Sequence, residues 1–261
     1  MVSEKPEPGD QYVQSLARGL SVIMAFDAQH REMTLSEVAA RTGLSRATVR
    51  RLLLTLAELG FVRVLDNRFT LTPRILRLGT AYLSGLELPQ IVQPHLERLS
   101  AQLGESTSLA VLDGTDIVYV ARVATRRIMT VGITVGTRFP AFATAMGRVL
   151  LSALPASGLD DYFTRADLTP PTPRAVHDEA SLRQILTTTR VQGWAYVEEE
   201  LERGLCSLAA PVVNGSGDVV AAVNVSTTTQ HDESTVDRYR QALLATAADI
   251  SEDAAAAGVR P

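Results

Sequence analysis

The sequence predicts an α+β protein in two parts: a small helical unit closed by a β-hairpin, then a larger, mostly antiparallel sheet with helices packed on it. Three observations predict this. Residues 15–60 hold three stretches with apolar residues at helical spacing, separated by capping residues and glycine. Residues 61–71 then read as two β-rich runs about Asp66-Asn67. Further along, strand-like runs flank Asp113-Gly114 and the segment Asn214-Gly215-Ser216-Gly217-Asp218, so neighbouring strands are joined as hairpins.

The elements follow in order. Residues 15–28 predict a first helix, with Leu16, Leu20, Ile23 and Met24 as its apolar stripe. Thr34-Leu35-Ser36-Glu37 is a capping box: the threonine hydroxyl meets the third amide and the glutamate reaches back. The helix it opens turns Leu35, Val38 and Ala39 inward and stops at Gly43. Ser45 caps a third helix with Val49, Leu52, Leu53 and Leu56 on one face, ending at Gly60. After the hairpin and Pro73, residues 74–103 predict helices interrupted around Pro89 and Pro94. The second part predicts strands at Ser108–Leu112, Ile117–Arg122, Met129–Val135, Ser207–Val213 and Val219–Ser226. Helices are expected at Thr144–Ala153, residues 178–192 and residues 232–257. The expected organisation is a polar tail at 1–11, a helical unit with its hairpin at 12–74, a linker helix at 75–90 and a sheet domain at 91–258.

Composition narrows the class. Over 261 residues, 46% are hydrophobic and 21% charged, the balance of a globular protein with two cores. No run of eighteen apolar residues occurs, so no membrane span is expected. The polar, proline-bearing start lacks the apolar core of a signal peptide. Cys206 is the single cysteine, which excludes an intrachain disulfide and a cysteine-based zinc site. These features point to the cytoplasm and to a protein without cofactor or metal.

The net charge of −4 is unevenly spread. Residues 1–80 hold 11 Lys+Arg against 8 Asp+Glu, whereas the rest hold 14 against 21. Between Arg41 and Arg77 stand eight arginines against Glu58 and Asp66 alone. A basic module on an acidic protein suits a polyanion partner.

Helix, glycine turn, helix and basic hairpin is the layout of a winged helix-turn-helix. At 100° per residue, Ala47 and Arg51 lie opposite the apolar face of the third helix, with Thr48 and Arg50 on its flanks. Arginines there match guanine edges or phosphates, and the Ala47 and Thr48 methyls match thymine. Ser45 and Arg46 sit at the helix start, where free amides favour phosphate. Arg63 and Arg68 on the hairpin are placed for backbone or minor groove. Leu54 also falls on the outer face, and DNA contact does not explain it.

Over about residues 12–250 the sequence resembles the IclR family of bacterial transcriptional regulators. The likeness rests on Ser15-Leu16-Ala17-Arg18-Gly19-Leu20, Leu35-Ser36-Glu37-Val38-Ala39, and Gly43-Leu44-Ser45 leading to Thr48-Val49-Arg50-Arg51-Leu52-Leu53. It continues in Phe139-Pro140-Ala141-Phe142-Ala143-Thr144-Ala145-Met146-Gly147-Arg148-Val149-Leu150-Leu151, in Glu199-Glu200-Leu201-Glu202 with Gly204-Leu205, and in Ala209-Ala210-Pro211-Val212. Arg126-Arg127-Ile128-Met129 and the run from Met146 resemble the branch that regulates aromatic-acid catabolism through the β-ketoadipate pathway. The resemblance implies a GAF-like effector domain, double-stranded operator DNA as partner, a homodimer or tetramer, and a small organic acid as signal.

For that signal, Thr144 precedes a helix whose small first-turn residues leave amides open to a carboxylate. The family's ligand site falls here on Ala145, Met146, the acidic loop at Val197 and Glu198, the strand start at Cys206 and Ser207, and on Asn224 and Ser226, which alternate along one strand face. In the aromatic-acid branch an arginine commonly follows the Gly-Leu pair, where this chain has Cys206. If that arginine pairs with a carboxylate, this chain is expected either to use another cation, Arg138 or Arg203, or to bind a different ligand.

Two other readings compete. An enzyme with an attached DNA-binding domain would need a catalytic set, yet His30, His95, His177 and His231 stand isolated and no G-x-S-x-G or phosphate loop occurs. The run Glu198-Glu199-Glu200 is expected to be a solvated loop rather than an acid/base site. A pure protein-interaction module is the other alternative.

Overall fold

The computed structural model describes residues 9, 11–27, 29–79, 88–125, 133–228 and 232–259. The chain divides into two compact units, Met1–Tyr82 and Leu83–Pro261. Most of the expected tail, the middle of the linker helix at 80–87, the Arg126–Met129 motif and most of the expected strand at 129–135 lie outside the described residues.

The first unit holds α1 (Gln14–Met24), β1 (Glu32–Thr34), α2 (Leu35–Thr42), α3 (Arg46–Glu58), β2 (Val62–Leu65) and β3 (Arg68–Leu71). The capping box is formed: Glu37 N–H donates to the Thr34 hydroxyl at 3.4 Å, and Thr34 N–H donates to the Glu37 carboxylate at 2.7 Å. Gly43 closes α2 at φ 67°, a left-handed position that any side chain would strain. Asp66 and Asn67 take φ 47° and 62°, the paired positive values of a two-residue hairpin turn. The strands form an antiparallel sheet in the order β1-β3-β2. Val22, Met33, Val38, Val49, Leu53 and Phe69 make its core.

Two expectations change here. α1 stops at Met24, not residue 28. Asp27 then turns the chain, accepting the Gln29 and His30 amides, and Arg41 donates to it at 2.7 Å. Of the expected stripe on α1, Ile23 packs on the core but the other three residues face outward. Val22 is fully buried, while Leu16, Leu20 and Met24 are 63%, 45% and 72% exposed.

The second unit is a sheet of six antiparallel strands between two helical layers. Its strands are β4 (Ser106–Asp113), β5 (Asp116–Val123), β6 (Arg138–Pro140), β7 (Ala195–Glu198), β8 (Leu205–Val213) and β9 (Val219–Thr228), in the order β6-β5-β4-β9-β8-β7. One face packs on α4 (Leu88–Leu103) and α8 (Glu233–Ala256) through Val92, Leu96 and Leu99 with Leu243, Ala247 and Ile250. The other face packs on α5 (Ala145–Ala153), α6 (Ala156–Arg165) and α7 (Glu179–Gln192) through Met146, Leu151, Tyr162, Leu182 and Leu186. α4 runs unbroken through Pro94, contrary to the expected interruption. Pro89 sits in its first turn, where no amide bond is lost. Burial of Val92 and Leu96 on either side of Pro94 outweighs the one bond that proline removes. Residues 133–135 form loop and turn rather than strand. Four short elements were not expected at all: β1, β6, β7 and α6.

Gly147 in the first turn of α5 marks a close approach. A Cβ there would lie 2.0 Å from the Ala141 carbonyl oxygen, on backbone that has no room to yield. Gly147→Ala is expected to destabilise the second unit by about 1–3 kcal/mol or more. The check is chemical denaturation of the full chain, and an unchanged midpoint would contradict the tight packing.

Candidate nucleic-acid interface and ligand cavity

α3 starts at an N-cap in which Thr48 N–H donates to the Ser45 hydroxyl at 3.2 Å. Burial of Val49, Leu53 and Leu56 fixes its rotation. Ser45, Arg46, Ala47, Arg50 and Arg51 are therefore exposed, and Thr48 is half-buried. Arg51 and Thr48 line one side of a groove of about 570 Å³ whose other side is α1, with Leu16, Gly19 and Leu20. Arg63 and Arg68 are exposed on the hairpin, and the β2–β3 register puts both on the face away from Phe69. Not every arginine of the basic segment is free for a polyanion. Arg41 is bound to Asp27 and to the Ala25 carbonyl, and Arg74 lies over the Phe61 ring. Leu54 is exposed, as the helical projection required.

In the second unit a cavity lies between the start of α5 and the sheet. Its volume is about 20 Å³, room for about one water and well below the roughly 300–1,000 Å³ usual for small-molecule sites, so a ring acid needs the lining side chains to part. Thr144, Ala145, Met146, Ser207, Asn224 and Ser226 all line it, with Val197, Tyr119, Ile133, Ala143, Leu201 and Leu205. Thr144 caps α5 by accepting from Gly147 N–H at 3.0 Å, and the following amides of Ala145 and Met146 have no acceptor within the helix. Asn224 is 2% exposed. Its amide nitrogen donates to Ser207 and Ser226, each at 2.9 Å, so its carbonyl is left as the free group of the trio. That oxygen is buried and unpartnered among the described residues. Burial pushes the Tyr119 hydroxyl up to about 12, against a smaller opposing effect of Arg122, so this wall stays neutral at physiological pH.

Glu198 and Cys206 do not reach the cavity. They pair with each other across β7 and β8, while Val197 pairs with Ser207. Alternation therefore sends one pair to each face of the sheet. Cys206 is buried beneath Tyr196, whose hydroxyl donates to its sulfur at 3.3 Å, and burial pushes the thiol up, the reverse of a reactive cysteine. Neither expected cation lines the cavity either. Arg138 is held by Asp113 at 2.5 Å and Asp116 at 3.2 Å, and Arg203 is exposed.

The acidic run is not a solvated loop. Glu200 is 7% exposed and pairs with Arg148 at 2.6 Å. Glu199 takes φ 56° and accepts from Gly204 N–H at 2.8 Å. Both carboxylates hold the loop between β7 and β8 in shape. Sequence reasoning missed this pair because its members stand 52 positions apart. It also missed Leu205, which the alternation of β8 would have placed beside Ser207, and Tyr119, which the bulge between Leu109 and Ala110 in the β4–β5 pairing turns to the same face as Arg122.

With this geometry in view, the comparisons with known proteins decide the family. Residues 15–66 match the IclR helix-turn-helix domain, and residues 80–252 match the family description "Bacterial transcriptional regulator IclR C-terminal". The chain belongs to the IclR family. The "Pca regulon regulatory protein" of Pseudomonas putida is 46% identical over 217 residues, covering 83% of this chain and 75% of that one. A transcriptional regulator from Rhodococcus sp. RHA1, known from a crystal structure, is 50% identical with a TM-score of 0.82, covering 94% of this chain and all of that one. An IclR homologue from Microbacterium hydrocarbonoxydans, crystallised with 4-hydroxybenzoate, is 25% identical with a TM-score of 0.81, covering 93% and 99%.

This IclR-family chain is thus a transcriptional regulator with a DNA-binding helix-turn-helix unit and a sheet-based sensor unit. The enzyme reading falls away: its acidic run is structural, and the matched family consists of regulators. No helix among the described residues is long and apolar enough to cross a membrane.

Proposed function

We propose that the protein controls genes of aromatic-acid catabolism, binding operator DNA through α3 and its hairpin and a small aromatic acid in the cavity of the second unit. The observation that carries this reading is the cavity's pattern of polar groups. Amide donors at the start of α5 suit a carboxylate, the unpartnered Asn224 carbonyl suits a ring hydroxyl, and Tyr119, Ile133 and Leu205 supply apolar wall for the ring. The names of the relatives support it, since one governs a Pca regulon and another was crystallised with 4-hydroxybenzoate.

Ser45, Arg46, Ala47, Thr48, Arg50 and Arg51 form the reading surface, with Arg63 and Arg68 on the flanking backbone. The DNA-bound form is a homodimer or a tetramer built from it. The exposed row of Leu16, Leu20 and Met24 on α1 supports this, because a run of apolar side chains left in water favours a partner copy. A two-fold operator then meets two winged units at once. Ligand acts by population shift, favouring one spacing of those units over the other.

Three outcomes follow. Arg51→Ala should weaken binding to the protein's own promoter region by about 1–3 kcal/mol and reduce the salt dependence, with the fold intact because the side chain is exposed. Salt-independent binding in mobility-shift assays would refute the phosphate contacts. Leu16→Glu with Leu20→Glu should lower the mass of the full chain in light scattering, and a wild-type chain of single-copy mass would refute the oligomer. Addition of 4-hydroxybenzoate should raise the thermal midpoint, by the equivalent of about 2.7 kcal/mol at a hundred times its Kd. No shift with any hydroxybenzoate would sink the aromatic-acid reading.

A further inference from the structure

β5 carries a charge that the described structure leaves only partly used. Arg122 stands opposite Ser108 in the β4–β5 register, and Ser108 stands opposite Asn224 in the β4–β9 register. Cross-strand partners share a face, so the three form one row on the side of the sheet that lines the cavity. Arg122 Nη1 donates to the Ser108 hydroxyl at 2.9 Å. Its Nε is buried and has no partner among the described residues. Burial pulls the guanidinium below its usual pKa, with Tyr119, a cavity-lining residue, opposing the shift. An arginine stays charged regardless.

A half-buried guanidinium with an unsatisfied nitrogen is a cost that structural arginines avoid. Arg148, on the same side of the sheet, pairs with both Glu200 and the Phe142 carbonyl. The contrast indicates that the partner of Arg122 comes from outside the chain. No other described cation competes for the task. Cys206 faces away from the cavity, Arg138 is held by two aspartates, and Arg203 is exposed, whereas Arg122, itself just outside the lining, shares the cavity-side row with Ser108 and Asn224.

We propose that the charge meeting the effector's carboxylate is Arg122, with Nε and Nη2 as paired donors from beyond the Tyr119 edge of the cavity, and that the α5 amides only supplement it. The inference rests on the reading of the cavity as an organic-acid site and names the charge that site uses. A planar fork holding a planar carboxylate fixes the acid's orientation as well as its charge. The ring then extends across β4 and β9 toward Asn224, in the direction of the row.

The test compares wild-type full chain with Arg122→Gln and Arg122→Lys by titration calorimetry, using 4-hydroxybenzoate and the uncharged 4-hydroxybenzamide. Thermal midpoints without ligand are measured for each. Arg122→Gln should weaken 4-hydroxybenzoate binding by roughly 10- to 100-fold. Arg122→Lys should recover part of the loss, and affinity for the amide should be nearly unchanged. The ligand-free midpoint should hold or rise when the charge is removed. Equal affinity of wild type and Arg122→Gln for 4-hydroxybenzoate would overturn the assignment while leaving the aromatic-acid reading intact. Wild type that fails to bind 4-hydroxybenzoate would count against the aromatic-acid reading instead. The ligand-free midpoint then decides: a fall in Arg122→Gln assigns the residue to structure and overturns the proposal, and a midpoint that holds or rises supports an anion of another class.

Discussion

The second unit depends on one buried ion pair. Arg148 on α5 reaches Glu200 in the loop between β7 and β8, and both are almost wholly out of water. The same guanidinium takes the Phe142 carbonyl at 3.0 Å, and the same carboxylate oxygen takes the Val176 amide at 2.8 Å. Thr172 joins from the side, its hydroxyl donating to the Glu199 carbonyl at 2.6 Å. Three separate stretches of chain thus meet at one charge pair. Removing one partner of such a pair strands the other and costs about 3–5 kcal/mol. The stretches it gathers supply much of the cavity wall: Ala143 to Met146 from one side, Val197, Leu201 and Leu205 from the other. The pair therefore sets the shape of the site without lining it.

The sheet divides the labour between its faces. Toward α4 and α8 it presents Leu208, Val223 and Val225, an apolar surface that two long helices cover. Toward α5 it presents Ser108, Ser207, Asn224 and Ser226, polar groups that a well-packed core would not choose. They are tolerated because they bond one another and border a cavity. Strand alternation alone separates the two characters. It is also what places Cys206 and Glu198, one residue from the cavity in sequence, on the far side of the sheet.

The winged unit was legible almost residue by residue, because its signals are local. Caps at Thr34 and Ser45, glycine at position 43 and the Asp66-Asn67 turn each act within four positions of the bond they form. The outward stripe of α1 was misread because periodicity reports a face and not what covers it. Pro94 was misread for a related reason: a local penalty was overruled by packing from α8, over a hundred residues away. The polar residues expected from spacing and resemblance on β9 and at the start of α5 line the cavity, whereas strand parity turns Glu198 and Cys206 away from it. Arg122 carried no local mark, since its neighbours in the row belong to β4 and β9. Only the register brings them together.

Asn224 spends both amide protons on serine hydroxyls that flank it, one on its own strand and one on β8. Its rotamer and its polarity are thereby fixed before any ligand arrives. A fixed acceptor discriminates by subtraction. A molecule that offers a hydroxyl hydrogen restores the bond, while a methoxy or halogen substituent of similar size leaves the carbonyl dehydrated and unmatched. The penalty for such an orphan is about 1–3 kcal/mol, enough to separate closely related ring acids by an order of magnitude or more. Two serines that never touch the chemistry of the signal would then set how faithfully it is told apart from its neighbours.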